Sequence, residues 1–353
     1  MITRTTRRIA RRSIDCLPFS ALARLAGHDV HVLCYHMISP TTPRHVVHVT
    51  PAKTPEMFAA DMSFLRDHFQ VISYEELAAA REFGLPLPAG AALVTFDDGY
   101  RECLDVAAPI LEDHEIPAVF FLTTSFIDNR VLFHRNLLSL CIDRLLTASP
   151  ATLQRLKRES PGLDSDRTPW LQFLDSPSSR GSRPEQLEHL AGLLDIDTAT
   201  VLQQHRPYLD WEQVAQLQQA GHTIGAHGVD HLRLGECSDW KQITSEIVAS
   251  CVEISRRTSC PQVPFAFPFS GDDVDRNRLE HLRAENPEVG LLFDRRESRH
   301  DRWFVVHRVV ADSPSRVEGP ATASNLSGLL RRASRRRLKT RFRFKTQHGR
   351  SNS

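Results

Sequence analysis

Residues 91–100 read AALVTFDDGY. Ala91 to Phe96 carry no charge, and the run stops abruptly at two carboxylates, Asp97 and Asp98. A short uncharged run closed by a turn signal is the pattern of a strand buried on both faces, as in a parallel sheet. Gly99 allows a tight turn that aims the two carboxylates inward. In α/β proteins the C-terminal ends of strands are where sites gather. An acidic pair there also suits a solvated loop or a helix N-cap, so the pair alone does not decide function.

The same rhythm extends in both directions. His31 to His36 (HVLCYH) reads as a buried strand. Thr54-Pro55 supplies an N-cap and a first-turn proline, and Phe58, Met62, Leu65 and Phe69 follow at helical spacing. Residues 70–77 (QVISYEEL) read as a strand running into a helix that ends near Gly84. A helix through Cys103, Ala107 and Leu111 precedes the strand Pro117 to Thr123. Further on, Trp211 to Ala220 reads as a helix closed by Gly221, followed by the strand His222 to Ala226. Ile243, Ile247, Cys251 and Ile254 mark another helix. Strands are expected at Phe265–Pro268, Gly290–Phe293 and Trp303–Val310. Alternating strands and helices of this kind predict an α/β fold with a largely parallel sheet. Residues from about 127 to 207 break the alternation. They hold helical stretches, Leu137 to Leu146 and Pro184 to Leu194, around the polar run SPSSRGSRPEQ, and read as a helical insertion with a mobile loop.

A second chemical element stands at the end of another expected strand: His227-Gly-Val-Asp-His231. Histidines four apart can face one ion if the residues between them turn as a helix does. In a chain with 17 histidines they could equally be two surface side chains. Two imidazoles and one carboxylate make a site with open positions for water and substrate, suited to zinc or another divalent ion. The coincidence of Asp-Asp with His-x3-His, each after a strand, is more specific than either alone.

With these motifs the chain resembles the polysaccharide deacetylase family, also called NodB homology or carbohydrate esterase family 4, over roughly residues 30–125 and 205–312. TFDDGY (Thr95 to Tyr100) matches the family closely. HGVDH has Gly228 where the family usually has Ser or Thr. FAFPFSG (Phe265 to Gly271) is similar to the family's Tyr-Pro-Tyr-Gly type of segment. The resemblance implies a distorted, incomplete (β/α) barrel with a helical insertion. It implies that Asp97 is the catalytic base, that Asp98, His227 and His231 bind a divalent metal ion such as Zn2+, and that the backbone N–H of Phe269 holds the oxyanion. The family's C-terminal Leu-x-His segment, which supplies the general acid, has no clear counterpart. LCYH near the N-terminus instead resembles a subgroup, including deacetylases of poly-N-acetylglucosamine, in which that motif stands at the front of the domain. By that likeness His36 is the acid, with His307 as the competing candidate. Arg308 resembles the arginine of the family's Pro-Arg-Ile segment and either orients Asp97 or forms a structural ion pair.

The remaining features bound the reading. The 353 residues are 41% hydrophobic and 25% charged, values of a folded globular protein, and the formal net charge of +1 implies no strong partner preference. The division expected is a basic arm at 1–28, the deacetylase domain at 29–315 and a basic, disordered tail at 316–353. The arm lacks a continuous apolar segment and the chain lacks a stretch of roughly 20 apolar residues, so the reading is cytoplasmic. The basic ends read as solvated segments or as contacts with an anionic membrane; nucleic acid is not an expected partner. Seven cysteines without a CxxC pair read as reduced thiols, with a Cys251–Cys260 bridge as the alternative. Of the tryptophans 170, 211, 240 and 303, none is expected to stack on a sugar. His134-Arg135-Asn136 either borders the substrate cleft or is structural. The function expected is metal-dependent removal of an N-acetyl group from an amino sugar in an oligosaccharide, polysaccharide or lipid-linked glycan. The alternatives are hydrolysis of another small amide, such as deformylation, and an inactive glycan- or membrane-binding protein.

Overall fold

The computed structural model describes residues 29–159, 184–295, 301–312, 326 and 328–330. The basic arm, the polar run of the insertion up to Arg183, Trp170 and most of the basic tail lie outside the described residues.

The first strand, β1 (Val30–Tyr35), pairs in parallel with two later strands. Helix α1 (Pro55–His68) follows, opened by Thr54, whose hydroxyl accepts from the Met57 N–H, and it buries Phe58, Met62 and Leu65. A two-residue β2 (Gln70–Val71) leads to α2 (Tyr74–Phe83), which has a Ser73/Glu76 capping box and ends at Gly84 with φ 64°. Then come β3 (Ala91–Phe96), a wide helical turn Cys103–Ala107 running into α3 (Ala108–Asp113), and β4 (Ala118–Leu122). The insertion contributes α4 (His134–Leu146), α5 (Pro150–Glu159) and α6 (Pro184–Leu193). The alternation resumes with α7 (Trp211–Gln219), β5 (Thr223–Ala226), α8 (Trp240–Thr258), β6 (Val263–Ala266), α9 (Arg276–Glu285), β7 (Val289–Asp294) and β8 (Val305–Val310).

All strand pairs are parallel, and the sheet closes on itself because β1 pairs with both β3 and β8. The ring runs β1-β3-β4-β5-β6-β7-β8, one strand short of the common eight. The barrel that the family resemblance implies is therefore found, with seven strands. The short β2 lies outside the ring on the lower part of β3, at Ala91–Ala92, while β4 takes the upper part, Val94–Phe96. Closure leaves the ring strands without free edges, and β1 and β3 are buried along their whole length, as the uncharged run 91–96 anticipates. The junction of β5 and β6 is the thinnest, with only Ala226 facing Phe265. Gly225 is packed so tightly there that a Cβ would lie 2.5 Å from the Phe121 ring of β4 and 2.9 Å from the Pro264 carbonyl of β6.

Several boundaries differ from expectation, each for a physical reason. The expected helix through Cys103 begins as a wider turn because Pro109 has no N–H and crowds the turn before it; Ala108 N–H reaches the Cys103 carbonyl instead. Strand β6 starts at Val263 and stops before Pro268, which cannot donate to the ladder. Strand β8 starts at Val305, after a turn closed by Val305 N–H to the Arg302 carbonyl, which leaves Trp303 exposed.

The insertion has a small core of its own, built from Leu137, Cys141, Leu145, Leu156, Leu190 and neighbours. A second cluster, with Met37, Tyr100, Phe126, Phe133 and Tyr208, joins it to the barrel mouth. Asn136 fastens this joint: its amide donates to the His45 carbonyl and the Tyr100 hydroxyl, both at 2.9 Å, and its carbonyl accepts from Tyr208 at 2.5 Å. Leu326 and Leu330 are buried in the main core, so part of the expected tail packs on the domain. The described cysteines are free thiols; Cys251 and Cys260 do not form a bridge. Among the described residues, no helix is long and apolar enough to cross a membrane.

Candidate active site

The site lies at the C-terminal ends of β1, β3, β5 and β8. At the end of β3 the Asp97 N–H still donates to the Tyr35 carbonyl of β1, and the chain then turns through Asp98 and Gly99, both at φ 75°. This left-handed pair swings both carboxylates into the barrel mouth. A Cβ at Gly99 would come 3.1 Å from the Leu122 side chain, so glycine serves here through both conformation and space.

At the end of β5 the two histidines do not share a helix, contrary to the condition set by their spacing. The segment is a turn with Gly228 at φ 83° and His231 at φ 57°. Its Gly228 and Val229 carbonyls accept from the N–H groups of Thr124 and Ser125. His227 Nδ1 lies 2.8 Å from the Ala266 carbonyl, which makes Nδ1 the donor and leaves the Nε2 lone pair facing the site. Burial pushes His227 down to about 4, so it is neutral at pH 7. His231 is steered by rings: Phe133 at 4.4 Å, Phe269 at 5.0 Å and Phe126 at 6.4 Å.

Asp98, His227 and His231 converge. Asp98 Oδ1 lies 3.2 Å from His231 Nε2 and 3.6 Å from His227 Nε2. All three residues are buried, and Asp98 Oδ1 has no aligned hydrogen-bond donor among the described residues. Burial pushes the Asp98 carboxyl up, but the imidazoles of His231, His36 and His227 overcome it and hold it at about 2. The Asp98 oxygen thus stands, buried, beside the Nε2 atoms of both histidines, and these three ligand atoms are close enough together to hold one ion. One carboxylate and two imidazoles are a donor set that suits a divalent metal ion.

Asp97 stands beside this trio and is held differently. Arg308, fully buried on β8, grips it in bidentate fashion, Nη1 to Oδ1 at 2.5 Å and Nη2 to Oδ2 at 2.8 Å. The Cys34 thiol also donates to Oδ2, at 3.3 Å. Burial raises the carboxyl, and Arg308 outweighs it, so Asp97 sits well below the usual carboxylate range. Arg308 thus pairs directly with Asp97, a contact common to both roles expected for it.

His36 follows β1 and faces Asp97, with Nε2 4.0 Å from Asp97 Oδ2. Its other ring nitrogen, Nδ1, lies 2.5 Å from Asp312 Oδ2, and its backbone N–H donates to Asp312 Oδ1 at 3.0 Å. Burial disfavours the imidazolium, but the Asp312 carboxylate more than offsets it and pushes His36 up to about 9. Asp312 was not anticipated from the sequence, although it stands two residues past strand β8, where the same strand-end argument would have found it. The competing His307 points to the other face of β8, towards Asp301 at 3.5 Å. Phe269 has φ 61° and packs edge-on against His231, which places it at the rim of the site; the Arg233 guanidinium lies 4.1 Å over its ring. Of the His134–Asn136 triplet, Asn136 is structural, while Arg135 lies 5.7 Å over the Phe269 ring. Each of the three described tryptophans, 211, 240 and 303, has a guanidinium over its ring, from Arg257, Arg278 and Arg283, and Trp303 stays exposed.

The model of one family, polysaccharide deacetylase, matches residues 85–284, more than half of the chain. The chain belongs to the polysaccharide deacetylase family. Membership points to a hydrolase that deacetylates carbohydrate. The matched stretch holds Asp97, Asp98, His227, His231 and Phe269, and leaves His36, Arg308 and Asp312 outside it. Over 67 residues the chain is 36% identical to the poly-beta-1,6-N-acetyl-D-glucosamine N-deacetylase of Escherichia coli (strain K12). That match spans 19% of this chain and only 10% of the relative. Among solved structures, the Streptococcus pyogenes deacetylase PplD, in complex with acetate, is 16% identical with a TM-score of 0.49, covering 79% of this chain and 90% of that one. IcaB from Ammonifex degensii is 15% identical with a TM-score of 0.48, covering 86% and 97%.

Proposed function

We propose that this polysaccharide deacetylase removes N-acetyl groups from an amino sugar in an oligosaccharide, polysaccharide or lipid-linked glycan, and that it depends on a divalent ion, such as Zn2+, held by Asp98, His227 and His231. The observation that carries the reading is the convergence of Asp98 Oδ1 on the Nε2 atoms of both histidines, with Asp97 and His36 standing at the edge of the same space. A divalent ion bound there supplies Lewis-acid polarisation of the acyl oxygen and acidifies water.

The protein's own groups divide the proton work. Asp97, kept ionised by Arg308 and not a member of the ligand trio, accepts the proton of the attacking water. The backbone N–H of Phe269 donates to the developing oxyanion, an effect of about 3–4 kcal/mol for a well-placed donor. His36, protonated at neutral pH through Asp312, gives its proton to the departing amine, a contribution of about 10²–10⁴ in rate. The carboxylate that accepts and the imidazolium that donates differ in protonation because one faces Arg308 and the other Asp312.

The test is product analysis with oligomers of N-acetylglucosamine, a substrate class chosen because the Escherichia coli relative is named for such a polymer. The wild-type protein is expected to release acetate and leave free amines, and Asp97→Asn to fall by about 10²–10⁴. Release of formate from an N-formyl amide in place of acetate, or full turnover by Asp97→Asn, would refute the proposal.

A further inference from the structure

Two segments grip the turn that carries His227 and His231 from opposite sides. The Thr124 and Ser125 N–H groups take its carbonyls. Its own N–H groups go elsewhere: those of Val229 (3.0 Å) and Asp230 (3.1 Å) both donate to one oxygen, Oε2 of Glu246. Glu246 lies on α8, far from the turn in sequence, and is only 5% exposed. The same oxygen explains Gly228. A Cβ at that position would stand 2.7 Å from Glu246 Oε2, so a side chain at 228 would make the carboxylate shift away from the amides it accepts from. His227 and His231 thus flank a turn whose amides are gathered by one buried anion. Gly228 adopts φ 83° without steric cost, but His231 at φ 57° needs such an external hold, because left-handed backbone is unfavourable for a residue with a side chain.

We propose that Glu246 is the positioning residue of this loop: its carboxylate, acting through the Val229 and Asp230 amides, sets the spacing of His227 and His231 that admits the ion. The inference rests on the reading of Asp98, His227 and His231 as metal ligands. Glu246 touches neither substrate nor ion. Partners of this outer kind typically change metal affinity by about 10–100-fold when removed.

The experiment is Co2+ titration of the metal-free full-length protein, read by the visible absorption band and by competition with a chelator. Glu246→Ala is expected to weaken Co2+ binding by about 10–100-fold and to alter the band. Amide exchange at Val229 and Asp230 should quicken in the same variant before any metal is added. Glu246→Asp keeps the charge but retracts it by one methylene, so it should lose affinity as well. Glu246→Gln leaves an amide oxygen able to accept both N–H groups, so it should retain most of the affinity. If Glu246→Ala does not fold, the contrast between the Asp and Gln variants decides the matter. Wild-type affinity and an unchanged band in the Ala and Asp variants would overturn the inference alone. A wild-type protein that takes up no Co2+ would overturn the metal reading, and this inference with it.

Discussion

At the scale of single residues, the site is built from pairs that set each other's charge. Arg308 and Asp97 are both fully buried and share two short hydrogen bonds. Removing one partner leaves the other charge stranded, which costs about 3–5 kcal/mol. Arg308→Met should therefore lower unfolding free energy by about that amount, measured by urea denaturation, besides reducing turnover. Asp312 acts on His36 with a definite sign. The folded pKa of about 9 lies above the ordinary 6.5, so the His36 imidazolium persists through neutral pH and is lost as pH rises through about 9. The stability contributed by this pair is present below about 6.5 and fades over the same rise. Asp312→Asn should move the alkaline limb of the rate profile down towards 6.5, and a limb that stays put would mean that His36 is not the acid. Asp97, Asp98 and the two histidines were legible in the sequence because their spacing and neighbours are local signals. Glu246 was not, because it acts on residues more than ten positions away and stands in no motif; Asp312 stands in no motif either, and only its place just past strand β8 could have pointed to it.

At the scale of elements, strand ends decide what the site contains. Hydrophobic runs located seven of the eight strands to within two or three residues, since a strand buried on both faces is mostly apolar, with Arg308 in β8 and Asp294 at the end of β7 as the charged exceptions. The ends were less legible because they depend on single backbone groups, as Pro109 and Pro268 show. The His227–His231 turn illustrates the same limit: a spacing of four is shared by a helical turn and by a left-handed loop, and Gly228 was the only hint of the latter. The insertion is joined to the mouth by Asn136, which bridges α4, the Tyr100 hydroxyl and Tyr208. Asn136→Ala would leave two buried phenol hydroxyls short of a partner, at about 1–3 kcal/mol each. A fall in melting temperature is expected, and because Tyr100 follows the Asp97-Asp98-Gly99 turn directly, a loss of turnover with it. A melting temperature equal to that of the wild type would show that the joint contributes nothing.

At the scale of the whole molecule, ring closure is what turns distant residues into neighbours. β1 pairs with β3 and β8 at once, so His36, Asp97 and Asp312 meet although they are spread over most of the described chain. Periodicity could predict an α/β fold but not this closure, because the strand patterns are the same in an open sheet and a barrel; the family resemblance implied the barrel. A continuous core of buried side chains lines the ring and packs the surrounding helices, so the fold does not need an ion to hold it. That separation allows the central claim to be tested on folded protein. The most direct measurement is the metal content of purified, metal-saturated and desalted protein, by elemental analysis, for the wild type, Asp97→Asn and His227→Ala. The account predicts one divalent ion per chain in the first two and none above background in the third. Equal metal in the wild type and His227→Ala, or no metal in a folded wild type, would contradict it.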